Sequence, residues 1–168
     1  KTKYFEAKLK LLKDLSFVLK NGEQIRFHIG AKETIGRIYI YNKKELYPGE
    51  EAYVLFSLQE EIAAFFGEKF VIRRYSPMEL IGGGQIIIVD PPRRKRNDQQ
   101  LTKMLKEIEA GDWLKRIEIF INSKKYESVS LEYLLKKSSL TKTKLNNILT
   151  QLKTDGKIIC LKEAKNSL

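Results

Sequence analysis

The chain has 168 residues, of which 42% are hydrophobic, 10% aromatic and 32% charged, so it can bury a core and is not a wholly disordered chain. Its formal net charge of +11 is uneven: residues 1–91 hold 14 Lys+Arg against 12 Asp+Glu, and residues 92–168 hold 18 against 9. That asymmetry favours an anionic partner, most often nucleic acid, and two modules, while the single cysteine, Cys160, excludes a disulfide framework within the chain and fits a reducing compartment.

The first half alternates with a period of two, the mark of half-buried strands. In FEAKLKL, Phe5, Ala7, Leu9 and Leu11 share one face, and Glu6, Lys8 and Lys10 share the other. QIRFHI places Ile25, Phe27 and Ile29 inward and Arg26 and His28 outward. GRIYIYN sets Ile38 and Ile40 against Arg37, Tyr39 and Tyr41, and EAYVLFSL sets Ala52, Val54, Phe56 and Leu58 against Tyr53, Leu55 and Ser57. KFVIRRY and QIIIVD complete the set. Asn21-Gly22, Pro48-Gly49, Gly67 and Ser76-Pro77 punctuate these runs as turns. Short strands at such spacing predict a small closed antiparallel barrel, which also removes exposed edges.

Two prolines and four cations follow in DPPRRKRN, where neither a helix nor a central strand can continue. Beyond them the period changes to that of a helix. Leu101, Met104, Leu105 and Ile108 form a stripe that Asp98 can cap, and Asp112 can cap the helix WLKRIEIFI. Ser130 can cap a helix carrying Leu131, Leu134 and Leu135, and Thr141 one carrying Leu145, Ile148, Leu149 and Leu152. TDGKIICL then reads as a turn into a strand. Helices followed by a β-wing are the winged-helix order. The expected fold is therefore multi-domain: an all-β antiparallel barrel at 1–91, a basic Pro-rich linker at 92–97 and a winged-helix domain at 98–168.

Several residues are candidates for contact with RNA. His28, the one histidine, lies near Arg26 on the polar strand face; it is either a solvated surface residue or a phosphate or ribose contact. With one His and one Cys, a protein-only zinc site is not expected, and no nucleophile-elbow motif supports hydrolytic catalysis. HIGAKETIGRI places Lys32 and Arg37 among Gly30, Ala31 and Gly36, where bare backbone lets a phosphate approach closely. Arg73 and Arg74 face opposite ways on a regular strand, so one points outward and the other can pair with a carboxylate such as Glu79. Gly82, Gly83 and Gly84 read as a bulge or bend, with RNA backbone passing over Gly82 and Gly83 compatible with that role. For Arg93, Arg94, Lys95 and Arg96 a solvated linker and a phosphate clamp both stand. Lys142 and Lys144 open the last helix, where they either read a groove or only cover a structural core.

FEAKLKLL, RFHIGAKETIGRI and YPGEEAYVLFSLQEEIAAFFGEKFVIRRYSPMELIGGGQII resemble, in order, the third domain of Tu-type translation elongation factors. GEKFVIRRYSPMELIGGGQIIIVDPPRRKR before a winged helix is most similar to the bacterial selenocysteine-specific elongation factors. The resemblance implies a cytoplasmic GTPase that carries selenocysteinyl-tRNA to the ribosome. It implies that the HIGAKETIGRI segment, with His28, Lys32 and Arg37, meets the T stem, and that the first winged helix is a spacer towards the end that holds an mRNA hairpin; Arg26, Arg73, Arg74, Gly82 and Gly83 are the further tRNA contacts expected on the same barrel. The chain has no GxxxxGK[ST] loop. It begins at Lys1 rather than Met, leads at once into a strand pattern and has no signal-peptide or membrane-spanning run. We therefore expect a fragment without catalysis, metal or cofactor of its own, with GTP and magnesium bound by another domain. A winged-helix DNA-binding regulator is the alternative.

Overall fold

A computed structural model describes residues 1–95, 97–123 and 128–159. It divides into two compact units, Lys1–Glu109 and Ala110–Leu168. The sequence reading sets the boundary in 92–97, so the first helix after the linker groups with the barrel instead.

In the first unit, β1 (Thr2–Leu11), β6 (Glu51–Ile62), β4 (Lys32–Ile40), β3 (Gln24–Ile29), β7 (Lys69–Arg74) and β8 (Leu80–Val89) close in that order into an antiparallel barrel. The closing pair is β1 with β8, so no strand of the ring presents a free edge. β2 (Leu19–Lys20) and β5 (Glu45–Leu46) form a separate two-stranded sheet. The alternation does what it predicts: Phe5, Ala7, Leu9, Leu11, Ile25, Phe27, Ile29, Ile38, Ile40, Val54, Phe56 and Leu58 are all buried. Phe27 sits at the centre, its ring 4.8 Å from Phe56 and 5.1 Å from Phe70. Burying rings this size supplies much of the driving force that orders so many short strands.

Gly82, Gly83 and Gly84 lie inside β8, opposite β1 on one side and β7 on the other. A Cβ on Gly82 would stand 2.5 Å from the Lys10 carbonyl oxygen, one on Gly83 2.8 Å from that of Phe70, and one on Gly84 would run into that of Lys8. The triplet thus lets three strands close at this seam. Both ladders keep register across the three glycines; the irregularity expected at them falls one residue earlier, at Ile81, where the β7–β8 ladder shifts between Ile72 and Arg73.

Two outward residues of the sequence pattern are covered instead. Glu6 is fully buried and Tyr41 is 4% exposed, although both lie opposite the core-facing positions. The chain leaving β8 explains this. Asp90 takes a left-handed backbone conformation (φ 52°), its N–H donates to the Tyr4 carbonyl and its carboxylate accepts from Thr2 Oγ1 at 3.2 Å. The linker is thereby turned back over the barrel wall.

The helix α1 (Gln99–Ala110) follows the linker, its stripe of Leu101, Leu105 and Ile108 buried and its first turn capped by Asp98 Oδ1. Its last turn is tied to the barrel through Glu109, which accepts from the Tyr53 hydroxyl at 2.6 Å and from Gln85 Nε2 at 3.1 Å and pairs with Lys8 at 3.4 Å. Burial, then the bond to Glu109, pushes the Tyr53 hydroxyl pKa well up. Burial pulls the Lys8 pKa down, but Glu51 and Glu109 outweigh it and hold the ammonium above its ordinary value.

The second unit contains α2 (Trp113–Asn122), α3 (Leu131–Ser138) and α4 (Lys142–Thr154). Asp112, Ser130 and Thr141 cap them through their side chains, as the sequence leads one to expect. Ile117, Phe120, Leu134, Leu145 and Leu152 are buried. Ser139 ends α3 in the left-handed conformation, and the chain re-enters a helix at Lys142. Lys157 to Ile159 lie in no strand, and Cys160 and the rest of the expected wing lie outside the described residues. No helix among the described residues is long and apolar enough to cross a membrane, and they contain no group of three or more His, Cys, Asp or Glu placed to hold a metal.

Candidate nucleic-acid interface

The hairpin of β3 and β4 turns at Gly30-Ala31, where Gly30 supplies a positive φ of 54°. This tight turn fixes the register: His28 lies opposite Glu33, and Arg26 opposite Ile35. On the other side of β3, Arg26 lies opposite Arg73 and His28 opposite Val71. The pleat then sends Arg26, His28 and Arg73 to the same outer surface, while Phe27 and Ile72 fill the core. Arg37 continues that surface on β4, its Nη1 donating to the Gly22 carbonyl at 2.8 Å. Lys32 stands exposed at the hairpin end.

This face is not uniformly positive. Arg26 Nη1 donates to Glu33 Oε1 at 2.9 Å, and His28 Nδ1 lies 4.0 Å from Glu33 Oε2. The hydrogen bond from Arg26, with the charges of His28 and Arg73, holds the Glu33 carboxyl below its ordinary pKa. The Arg26 guanidinium also lies over the Tyr75 ring, 5.4 Å from its centroid. Arg26 Nε and His28 Nε2 are buried and have no hydrogen-bond partner among the described residues. Sequence reasoning missed Glu33, yet the signal was present: a two-residue turn at Gly30-Ala31 sets His28 against Glu33.

The remaining candidates separate. Arg74 turns away from Arg73, and its guanidinium lies 4.3 Å over the Phe17 ring. Its backbone N–H bonds the Glu79 carbonyl, so the neighbour expected as a carboxylate partner contributes main chain instead. Gly83 lies on the outer surface opposite Val71, and Gly82 is buried opposite Ile72. Arg93 and Lys95 are exposed, whereas Arg94 Nε is 3.5 Å from the buried Glu6 Oε1. Arg96 lies outside the described residues. Lys142 and Lys144 are exposed at the start of α4, in the other unit.

Residues 6–93, more than half of the chain, match the family described as "Selenocysteine-specific elongation factor, beta-barrel domain". The chain belongs to that family. The selenocysteine-specific elongation factor of Desulfomicrobium baculatum is 28% identical to it over 69 residues. That similarity covers 41% of this chain and 11% of the relative. The elongation-factor barrel thus contains both the β3–β4–β7 face and the glycine seam, and the matched span ends at Arg93, inside the basic linker.

Proposed function

We propose that this chain is a tRNA-handling piece of a selenocysteine-specific elongation factor, whose barrel grips the T-stem and acceptor region of selenocysteinyl-tRNA. The observation that carries the reading is the arrangement of Arg26, His28 and Arg73 side by side across β3 and β7, with Lys32 and Arg37 along β4. Cations spread along a rigid ladder suit a nucleic-acid backbone, because each phosphate they engage releases counterions. Gly83 adds bare main chain on the same outer surface beside Val71, where a backbone can pass closely. The work is binding and positioning without bond making, and no metal or cofactor takes part in it. GTP and magnesium belong to another domain of the factor, as does the mRNA hairpin, and the ribosome is the destination in the cytoplasm.

The capped helices α2 to α4 form a winged-helix module in this reading and act as a spacer. The turn from α3 into α4 through Ser139 supports the helix-turn-helix part of it. That turn, with Lys142 and Lys144 exposed beyond it, also supports the rival, a DNA-binding regulator.

Titration of the 168-residue chain with selenocysteine tRNA tests the reading. Arg73→Glu and Lys32→Glu are each expected to weaken binding by at least about tenfold with the far-UV circular dichroism unchanged, and tRNA is expected to displace the chain from duplex DNA. Folded variants that bind tRNA as tightly as the parent would overturn the site. DNA that resists displacement by tRNA would favour the rival.

A further inference from the structure

We infer that the folded-back linker and the barrel wall form a second RNA site, which takes an unpaired nucleotide. Between them lies a cavity of about 600 Å³. That is within the usual range for pockets that enclose small molecules. Tyr4, Tyr39 and Tyr41 line it from β1, β4 and the end of β4, and Pro91, Pro92 and Arg93 line it from the linker.

Its construction argues against a chance gap beside a solvated tail. The linker is held at both ends. Asp90 bonds Tyr4 and Thr2 at the entry, and Arg94 reaches the buried Glu6, which also accepts the Tyr41 hydroxyl at 2.8 Å. A carboxylate fully buried on the outer side of a barrel wall is costly to desolvate, and only a covering cation and hydrogen bonds offset that cost. The same bonds fix the walls of the cavity. Arg94 lines the cavity while paired with Glu6, and Arg93 is exposed at the rim with Lys95 just beyond it in the chain.

The chemistry of the lining selects the ligand. Tyr4 is 48% exposed in the lining of the cavity. Tyrosine rings stack on any base and arginine neutralises its phosphate, and the lining residues Tyr4, Tyr39, Tyr41 and Arg93 bring both chemistries to one cavity. A paired nucleotide cannot offer its base face to such a wall, so the occupant is single-stranded. The site adjoins Arg37 through Ser57, its neighbour across β4 and β6, and none of Arg26, His28 and Arg73 lines it; it goes beyond the proposed function while sharing its premise that RNA is the partner.

The test uses the full chain and a fluorescein-labelled hexauridylate read by anisotropy, with selenocysteine tRNA titrated in parallel. The parent chain is expected to bind the hexanucleotide. Tyr39→Ala and Tyr4→Ala are each expected to weaken it by about tenfold through loss of a stacking ring, Tyr39→Phe to bind within about twofold of the parent, and Arg93→Gln to reduce the salt dependence. Arg73→Glu is expected to weaken tRNA binding far more than hexanucleotide binding. Failure of the parent to bind, or tyrosine variants that bind like the parent, would overturn the inference. If tRNA binding still responds to Arg73→Glu in that case, the proposed function stands without this pocket. If only the hexanucleotide binds, the pocket stands and the tRNA reading falls.

Discussion

The outer face of β3 and β7 and the linker after β8 are both rich in arginine, and they use it in opposite ways. On the strands, Arg26 and Arg73 are set side by side by the pleat and turn outward, with Glu33 tempering the charge. In the linker, Arg94 folds onto the wall to meet a buried Glu6, while its neighbour Arg93 stays in solvent. Adjacent arginines therefore need not share a role, and Arg73 and Arg74 repeat the lesson inside one strand. A count of cations predicts an anionic partner; only backbone geometry says which of them are available to it.

The largest effect is expected in the linker. Arg94→Ala strands a buried carboxylate and is expected to destabilise the barrel by about 3 kcal/mol in urea unfolding, whereas Arg93→Ala changes it by less than about 0.5 kcal/mol. Equal effects from both would erase the distinction drawn between them. Next comes the strand pair. Arg74→Ala loses the stacked guanidinium over Phe17, an expected loss of about 1 kcal/mol with tRNA affinity unchanged, and Arg73→Ala is expected to do the reverse. Parallel unfolding and tRNA titrations of the two variants decide it.

A smaller effect should come from Glu33. Glu33→Gln releases Arg26 and is expected to tighten tRNA binding a few-fold. The carboxyl titrates below its ordinary value in the folded chain, so the Arg26–Glu33 pair survives as pH falls through that ordinary value. It is lost only as pH falls further, through the depressed folded pKa, and there the parent chain should converge on the variant. Binding curves that stay apart at that pH would show that Glu33 does not restrain Arg26.

The barrel was legible because a buried face imposes a period of two: Phe5, Phe27 and Phe56 occupy the inside positions that the alternation assigns. Helix starts were legible as well, since Asp112, Ser130 and Thr141 satisfy orphan amide groups locally. Alternation cannot show what covers the outside. Glu6 reads as solvated until the positive φ of Asp90 folds the linker over it. Nor does the helical stripe of α1 show that Glu109 meets Tyr53, Gln85 and Lys8, because those contacts join residues far apart in the chain.

The salt dependence of tRNA binding tests the central claim most directly. Plotting log Kd against log salt concentration for the parent, Arg26→Gln/Arg73→Gln and Arg74→Gln counts the phosphates that each arginine engages. We predict a slope smaller in magnitude by nearly two for the double variant and an unchanged slope for Arg74→Gln. A double variant that keeps the parent's slope would contradict the assignment of the β3–β7 face to RNA.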